Sequence, residues 1–380
     1  MKQALHFSGL NGLRAIAALS VLFSHATMQL HSFGLNSYIF GQNPDGNPKT
    51  TLLAGYGVSI FFSLSGFLIT YLLLEEKKQG DISIRNFYIR RILRIWPLYY
   101  AYLSLCLLTL FAFHLPFEKA SALFYVFLAA NIPFILANTL QFAAHYWSIG
   151  VEEQFYAFWP WLMKKAKSPL VIASALCFLL LVAKCVVRYE DVHMNGGENS
   201  LLYTTIHTIR FQCMMIGAIA AILYNERSKF FLRLTDNYFA QAVSWLIILL
   251  VAINRFHVAS FIDNEIISFV TVFLIIGQIE KKRRIINLET KIFDLVGRIS
   301  YGIYVIHPLL IFYLSKLISF SDKTSPINYV FIYAIILFST IGVAWLSYEL
   351  FEKRFLRMKE KYTKVRSAPS LSSQDVSHNE

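Results

Sequence analysis

The chain has 380 residues, 56% of them hydrophobic and only 15% charged, with 16% aromatics and a formal net charge of +12. This composition excludes a soluble globular domain, and the repeated apolar runs of about 17–25 residues have the length that crosses a bilayer as a helix. The positive charge does not point to nucleic acid either, because it sits in short clusters between apolar runs, as cytoplasmic loops do under the positive-inside rule.

In chain order, spans are expected near residues 9–30, 53–74, 95–113, 147–163, 169–187, 203–224, 238–254, 260–279, 296–316 and 327–351. The basic clusters fall at 77–94 (with Arg90, Arg91 and Arg94), 164–167, 227–233, 281–291 and from Lys353 onward. An even number of crossings between successive clusters keeps all of them on one side. The expected fold class is therefore all-α: a polytopic membrane helix bundle of about ten transmembrane helices, with both termini cytoplasmic. An apolar piece at 120–138 would break that parity; Pro116, Pro133, Asn131 and Asn138 mark it as re-entrant or interfacial on the outer side. The first apolar segment carries charge inside it and is followed by no convincing cleavage site, so it is expected to persist as a helix. Residues 1–355 are expected to form one transmembrane domain without internal repeats, and 356–380 a disordered cytoplasmic tail. Four cysteines (Cys106, Cys177, Cys185, Cys213) lie in or beside apolar segments, make no metal pattern and read as buried thiols.

The first segment, GLNGLRAIAALSVLFSHATMQL, holds Arg14 and His25 eleven residues apart. That is roughly 20° from perfect alignment on a helix and roughly 16 Å along its axis, so both side chains face one way. Ionisable groups in hydrocarbon usually face a cavity or a pathway, although a snorkelling arginine and a hydrogen-bonded core histidine would also account for them. In FYIRRILRIWPLYY, Arg91 and Arg94 share a helix face beside Arg90. They serve either as a topology anchor or as a phosphate clamp, for which guanidinium forks are suited. Pro97 fits a helix break or first turn.

HYWSIGVEEQFYAFWP puts Glu152 and Glu153 in a predicted span, within a belt that includes Trp147. Two adjacent glutamates cannot both face lipid at low cost, so one is expected to face the interior. Counted from the ends of their spans, His25 and Glu152 fall at a similar depth in the outer half of the bilayer, where they could form an oriented base pair for acyl transfer. Lys184 and Arg188 are expected to snorkel. His207 and Arg210, three apart, are expected to share a face and either line an acceptor site or pair structurally. His307 in ISYGIYVIHPLL reads equally as structural or functional. Glu349 and Glu352 are expected to pair with Lys353 or Arg354.

Together these pieces resemble the acyltransferase-3 family of integral membrane O-acyltransferases, which modify bacterial polysaccharides and related molecules. The likeness covers about residues 8–355 and rests on five motifs in order: Arg14 with His25, FFxxSGF (Phe61, Phe62, Ser65, Gly66, Phe67), Arg91 with Arg94, WSxxxEEQFY from Trp147 to Tyr156, and YGIYVIHP with His307. Gly150 departs from the small polar residue that relatives often carry, and no fused extracytoplasmic hydrolase-like domain is expected here. The resemblance implies transfer of an acyl group, by default acetyl, from cytoplasmic acyl-CoA to a hydroxyl of a glycan or glycolipid acceptor across a bacterial inner membrane. Arg91 and Arg94 would hold the CoA phosphates, and the pantetheine arm would pass Arg14 toward His25. His25 would accept the acyl group or deprotonate the acceptor, and Glu152 would orient or charge-balance an active-site group. Trp147, Glu153 and His307 would border the substrate, with no metal needed. A secondary transporter or flippase is the rival reading, since buried charges fit it too, but such folds carry repeats that this sequence lacks.

Overall fold

The computed structural model of the chain describes residues 7–43, 46–194 and 196–363. Among them there is no strand ladder, only an isolated bridge between Gln42 and Pro48. The helices are α1 (Leu10–Met28), α2 (Thr51–Lys78), α3 (Ile84–Ala112), α4 (Lys119–Val126), α5 (Asn131–Ile135), α6 (Trp147–Lys165), α7 (Pro169–Met194) and α8 (Leu201–Ile209). They continue with α9 (Phe211–Asn225), α10 (Lys229–Thr235), α11 (Tyr238–Ala252), α12 (Asp263–Glu280), α13 (Lys291–Arg298), α14 (Ser300–Leu317), α15 (Pro326–Ser347) and α16 (Lys353–Glu360). Polar side chains start several of them: Ser83, Ser200, Asn237 and Thr290 each accept a hydrogen bond from a backbone N–H of the first turn.

Among the described residues, five helical stretches are long and apolar enough to cross a bilayer: α2, α3, α7, α8 with α9, and α15 with its continuation to Glu360. The count rises to seven if the bent pairs α10–α11 and α13–α14, kinked by 51° and 64°, are each one span. The three other expected spans coincide with α1, α6 and α12, which fall outside that set. Each carries polar groups in its sequence, among them Arg14 and His25, Glu152 and Glu153, and Asp263 and Glu265. A helix facing a polar interior loses hydropathy for that reason.

The basic clusters gather at one end of the bundle. Lys164 pairs with Asp81, Arg227 with Glu280, and Lys281 with Glu289. Asn225 bonds Glu75, and Arg90 donates to the carbonyl of Tyr362. Helix α1 starts at this end, where Gly9 takes a left-handed φ of 71° and a Cβ would collide with Gln278. It runs antiparallel to α2: Gly57 packs on the Ala17 carbonyl, and Ser24 donates to Thr50 O. Helices α2 and α9 touch backbone to backbone, since a Cβ on Gly66 would stand 2.0 Å from Met214 O and one on Gly217 2.1 Å from Ser63 O.

Segment 119–146 dips into the bundle rather than crossing it. Its helices have eight and five residues, far short of about 20. Tyr125, Ala130, Ala143 and Tyr146 are fully buried. Leu128, Ala137 and Phe142 turn the chain at positive φ. Gly150 admits this loop, because a Cβ there would meet Leu128 O at 2.9 Å.

Several sequence expectations are corrected. Pro97 lies inside α3 without ending it. Lys184 does not snorkel: it is buried on Glu265 at 2.6 Å, because α7 packs on the bundle there. Cys185, next to it, is exposed on the outward face of α7 with Val182 and Val186. Glu349 pairs with Lys353 at 2.7 Å, but buried Glu352 accepts from Ser347 instead. The tail expected from 356 is helical through Glu360, because it packs on the basic end of α3; residues 364–380 lie outside the described residues.

Candidate active site

Arg14, Arg91 and Arg94 come together. They line a cavity of about 280 Å³ with Ser65, Glu152, Tyr156, Tyr304 and Lys359. An adjoining cavity of about 460 Å³ shares Arg14, Arg91, Arg94, Tyr301 and Lys359 and extends past Arg90, Arg298 and Thr363 at the basic end. The i,i+3 spacing on α3 aims both arginines inward. Arg91 lies over the rings of Phe87 (5.8 Å) and Tyr156 (5.5 Å), and its buried Nε has no partner. Arg14 donates to Asn11 Oδ1 at 3.1 Å, and Asn11 is held by Asp294 at 2.8 Å. Arg90 is engaged, with Glu76 at 3.0 Å and Tyr362 O at 2.8 Å. Among the described residues, Arg14, Arg91, Arg94 and Lys359 form no ion pair.

Glu152 sits in this cavity, accepting from the Ser65 hydroxyl at 2.6 Å. Ser65 lies two turns beyond Gly57 on α2, level with the first turns of α1. The expected pairing of Glu152 with His25 therefore does not form. The depth count took Trp147 as lying at the membrane surface, whereas α6 begins inside the bundle, behind the dipping segment 119–146.

His25 pairs instead with His307, Nδ1 to Nε2 at 2.7 Å. His307 is fully buried, and its Nδ1 lies 3.0 Å from the carbonyl of Ile303. A carbonyl can only accept, so Nδ1 of His307 carries the proton and its Nε2 is the acceptor. His25 must then donate through Nδ1, which leaves its Nε2 with a free lone pair. No partner for that nitrogen is present among the described residues. One imidazole thus fixes the tautomer of the other, the task a carboxylate performs in a Ser-His-Asp triad.

A third histidine, His145, stands beside them with its ring 5.3 Å from that of His307 and its Nε2 3.1 Å from Val305 O. Tyr304 donates to His145 O at 2.7 Å and meets the Ser148 hydroxyl at 2.6 Å. Tyr304 and Ser148 line the deep end of the cavity, so they separate it from the histidines.

Trp147 and Glu153 line neither cavity. Trp147 is packed between Phe62 and Phe134, with Arg210 5.1 Å over its ring. Glu153 accepts from Trp96 at 3.1 Å. Arg210 and His207 do not share a helical face, because α8 ends at Arg210 with φ 38°. Arg210 binds Gly55 O, Ser59 and Asn264. His145, Ser148, Tyr304 and Lys359 were missed as site residues; the first three stand within the two motifs whose other members drew attention, and Lys359 is a plain member of a basic run.

Residues 7–349 match the family model described as an acyltransferase domain. The chain belongs to this acyltransferase-3 family. It is 27% identical over 392 residues to a Staphylococcus aureus (strain MRSA252) protein provisionally named O-acetyltransferase, covering 97% of this chain and 60% of that protein. It is 26% identical over 373 residues to O-acetyltransferase OatA of Staphylococcus aureus (strain NCTC 8325 / PS 47), covering 91% and 57%. The chain thus spans 57–60% of the length of these curated relatives. No solved structure matches it. The acyltransferase family, the all-α architecture and the membrane-length apolar helices agree with the sequence-based expectation.

Proposed function

We propose that the chain is a membrane O-acyltransferase that moves an acyl group, by default acetyl, from acyl-CoA to a hydroxyl of a glycan or glycolipid. The observation that carries this reading is the convergence of Arg14, Arg91 and Arg94 on one cavity, where none of them forms an ion pair among the described residues and Glu152 is the acidic side chain beside them. Guanidinium forks left unpaired in a half-buried site suit phosphate. The basic end is then cytoplasmic, in a bacterial inner membrane, by the positive-inside rule. The thioester arm passes Arg14 toward the histidines, roughly 16 Å further along α1. The acceptor reaches His25 from the opposite end.

In this reading His25 Nε2 takes the proton of the acceptor hydroxyl as its oxygen attacks the thioester carbonyl. The C–S bond breaks, CoA leaves as the thiolate, and the imidazolium returns the proton to sulfur. Throughout, His307 accepts from His25 Nδ1 and keeps Nε2 aimed outward. Glu152, hydrogen-bonded to Ser65, balances the cation cluster. The names of the S. aureus relatives support the O-acetyl class.

The test uses full-length protein in nanodiscs with acetyl-CoA and candidate glycans. Thiol release should accompany a gain of one acetyl mass on the acceptor. General-base catalysis is typically worth about 10²–10⁴-fold, so His25→Asn should lose that factor per folded molecule. His25→Asn retaining more than about a tenth of the activity would refute the assignment.

A further inference from the structure

We propose that α16 forms one wall of the donor site and that Lys359 is a fourth phosphate-binding cation. This rests on the acyl-CoA reading above. Lys359 lines both cavities together with Arg14, Arg91 and Arg94. It has no carboxylate partner among the described residues, although Lys353 on the same helix pairs with Glu349. Four cations facing one another across a half-buried cavity that holds the single carboxylate of Glu152 still repel unless a further anion lies between them.

The position of α16 is built rather than incidental. A π-helical turn, Tyr348–Glu352, precedes it. The extra residue of such a turn rotates everything after it by about 100° relative to a continuous α-helix, and π-turns frequently occur at functional sites. At the far end, Arg90 bridges Glu76 of α2 and the carbonyl of Tyr362, tying the segment to α2 and α3, two of the helices that line the cavities. Arg357, two residues before Lys359, is exposed and lines neither cavity.

The charge balance points to the class of ligand. A nucleotide donor with a diphosphate and a separate phosphate monoester carries about four negative charges near neutral pH. Arg14, Arg91, Arg94 and Lys359 outnumber the Glu152 carboxylate on the same wall, which leaves an excess of positive charge for such an anion. A donor held this way is gripped from α1, α3 and α16 at once, and its arm points inward along Glu152 to the Ser148–Tyr304 contact, which must part for the arm to reach the histidines.

The experiment measures desulfo-CoA affinity of the full chain in nanodiscs of zwitterionic lipid, so that headgroup charge is constant. Lys359→Met should weaken binding about tenfold, the loss expected for one charge-assisted phosphate contact. Lys359→Arg should stay within about threefold, and Arg357→Ala should bind as the unmodified chain does. If Lys359→Met fails to fold, a second measurement replaces it. In a Cys185→Ser background, desulfo-CoA should protect Lys359→Cys from maleimide but leave Arg357→Cys reactive. Unchanged affinity in Lys359→Met, or equal reactivity of the two cysteines with and without ligand, would overturn the proposal. The Arg91→Lys, Arg94→Lys double variant separates the two readings: if it weakens binding while Lys359→Met does not, only the role of α16 falls. If neither weakens binding, the donor assignment itself falls.

Discussion

Replacing His307 by Phe keeps a planar ring in a fully buried position and removes the acceptor that fixes the tautomer of His25. The bond lost is the 2.7 Å contact from His25 Nδ1 to His307 Nε2. A buried donor left unsatisfied costs about 1–3 kcal/mol. His25 avoids that cost by moving its proton to Nε2, where it can bond water or substrate, and in doing so it ceases to be a base. The base-competent tautomer should fall by the corresponding factor, about 5- to 150-fold, and kcat with it. KM for the acyl donor should not move, because the proposed phosphate site lies roughly 16 Å away along α1. The assay is steady-state thiol release by protein in nanodiscs, normalised to the monodisperse fraction. Non-additivity decides the matter: adding His307→Phe to His25→Asn should cost nothing further, since the residue that His307 orients is already gone. A further tenfold loss in the double variant, or an active His25→Asn beside a dead His307→Phe, would refute this division of labour and make His307 the base.

Three further outcomes follow from other parts of the bundle. Lys184→Met leaves Glu265, whose side chain is only 4% exposed, with the Gln212 amide but no cation, and should cost about 3–5 kcal/mol, seen as a lost or much earlier thermal transition; adding Glu265→Gln should restore part of it, and an unchanged transition in Lys184→Met would show the pair to be idle. Gly66→Ala must push α9 away from α2 and should lower the melting temperature, whereas Gly342→Ala, with nothing within 4 Å of the new Cβ, should not. For the expected topology, single cysteines in 31–52 or 188–200, in a Cys185→Ser background, should react with an impermeant maleimide from outside, and those in 281–291 should not; labelling of the 281–291 loop from outside would reject the ten-span arrangement.

What the sequence made legible was whatever a single element decides alone. The 3.6-residue period placed Arg14 and His25 on one side of α1, and the i,i+3 spacing turned Arg91 and Arg94 together. The structure brings Arg14, Arg91 and Arg94 to one cavity and His25 to a hydrogen-bonded partner. Pairings between elements were not legible. Glu152 was placed at the depth of His25 by counting from Trp147, and the count fails because the preceding segment enters the bundle and α6 begins within it. His307 and His145 both sit in motifs that were quoted, but nothing in one sequence fixes the relative depth of α14 and α6. Lys359 was assigned to a disordered tail because a helix that lines a hydrated cavity has the composition of one that faces solvent. Lys184 was expected to reach for water because its partner, Glu265, lies on a helix 81 residues further along the chain.

The proposed chemistry also explains why charge and base stand at opposite ends of one helix. Four cations set against His25 would oppose the imidazolium that forms when it takes a proton. A neutral histidine partner avoids that cost and still dictates the tautomer. Phosphates bound at the far end of α1 put the repelling charges roughly 16 Å away, behind Glu152 and the Ser148–Tyr304 contact. Such a separation fits the proposed donor, whose anionic handle and reactive carbonyl are joined by a long arm. It also accounts for the low hydropathy of α1 and α6. Helix α1 must present Asn11, Arg14 and His25 to the interior, and α6 must present His145, Ser148 and Glu152 from its first turns and the residues before them. Both pack on apolar neighbours within the bundle.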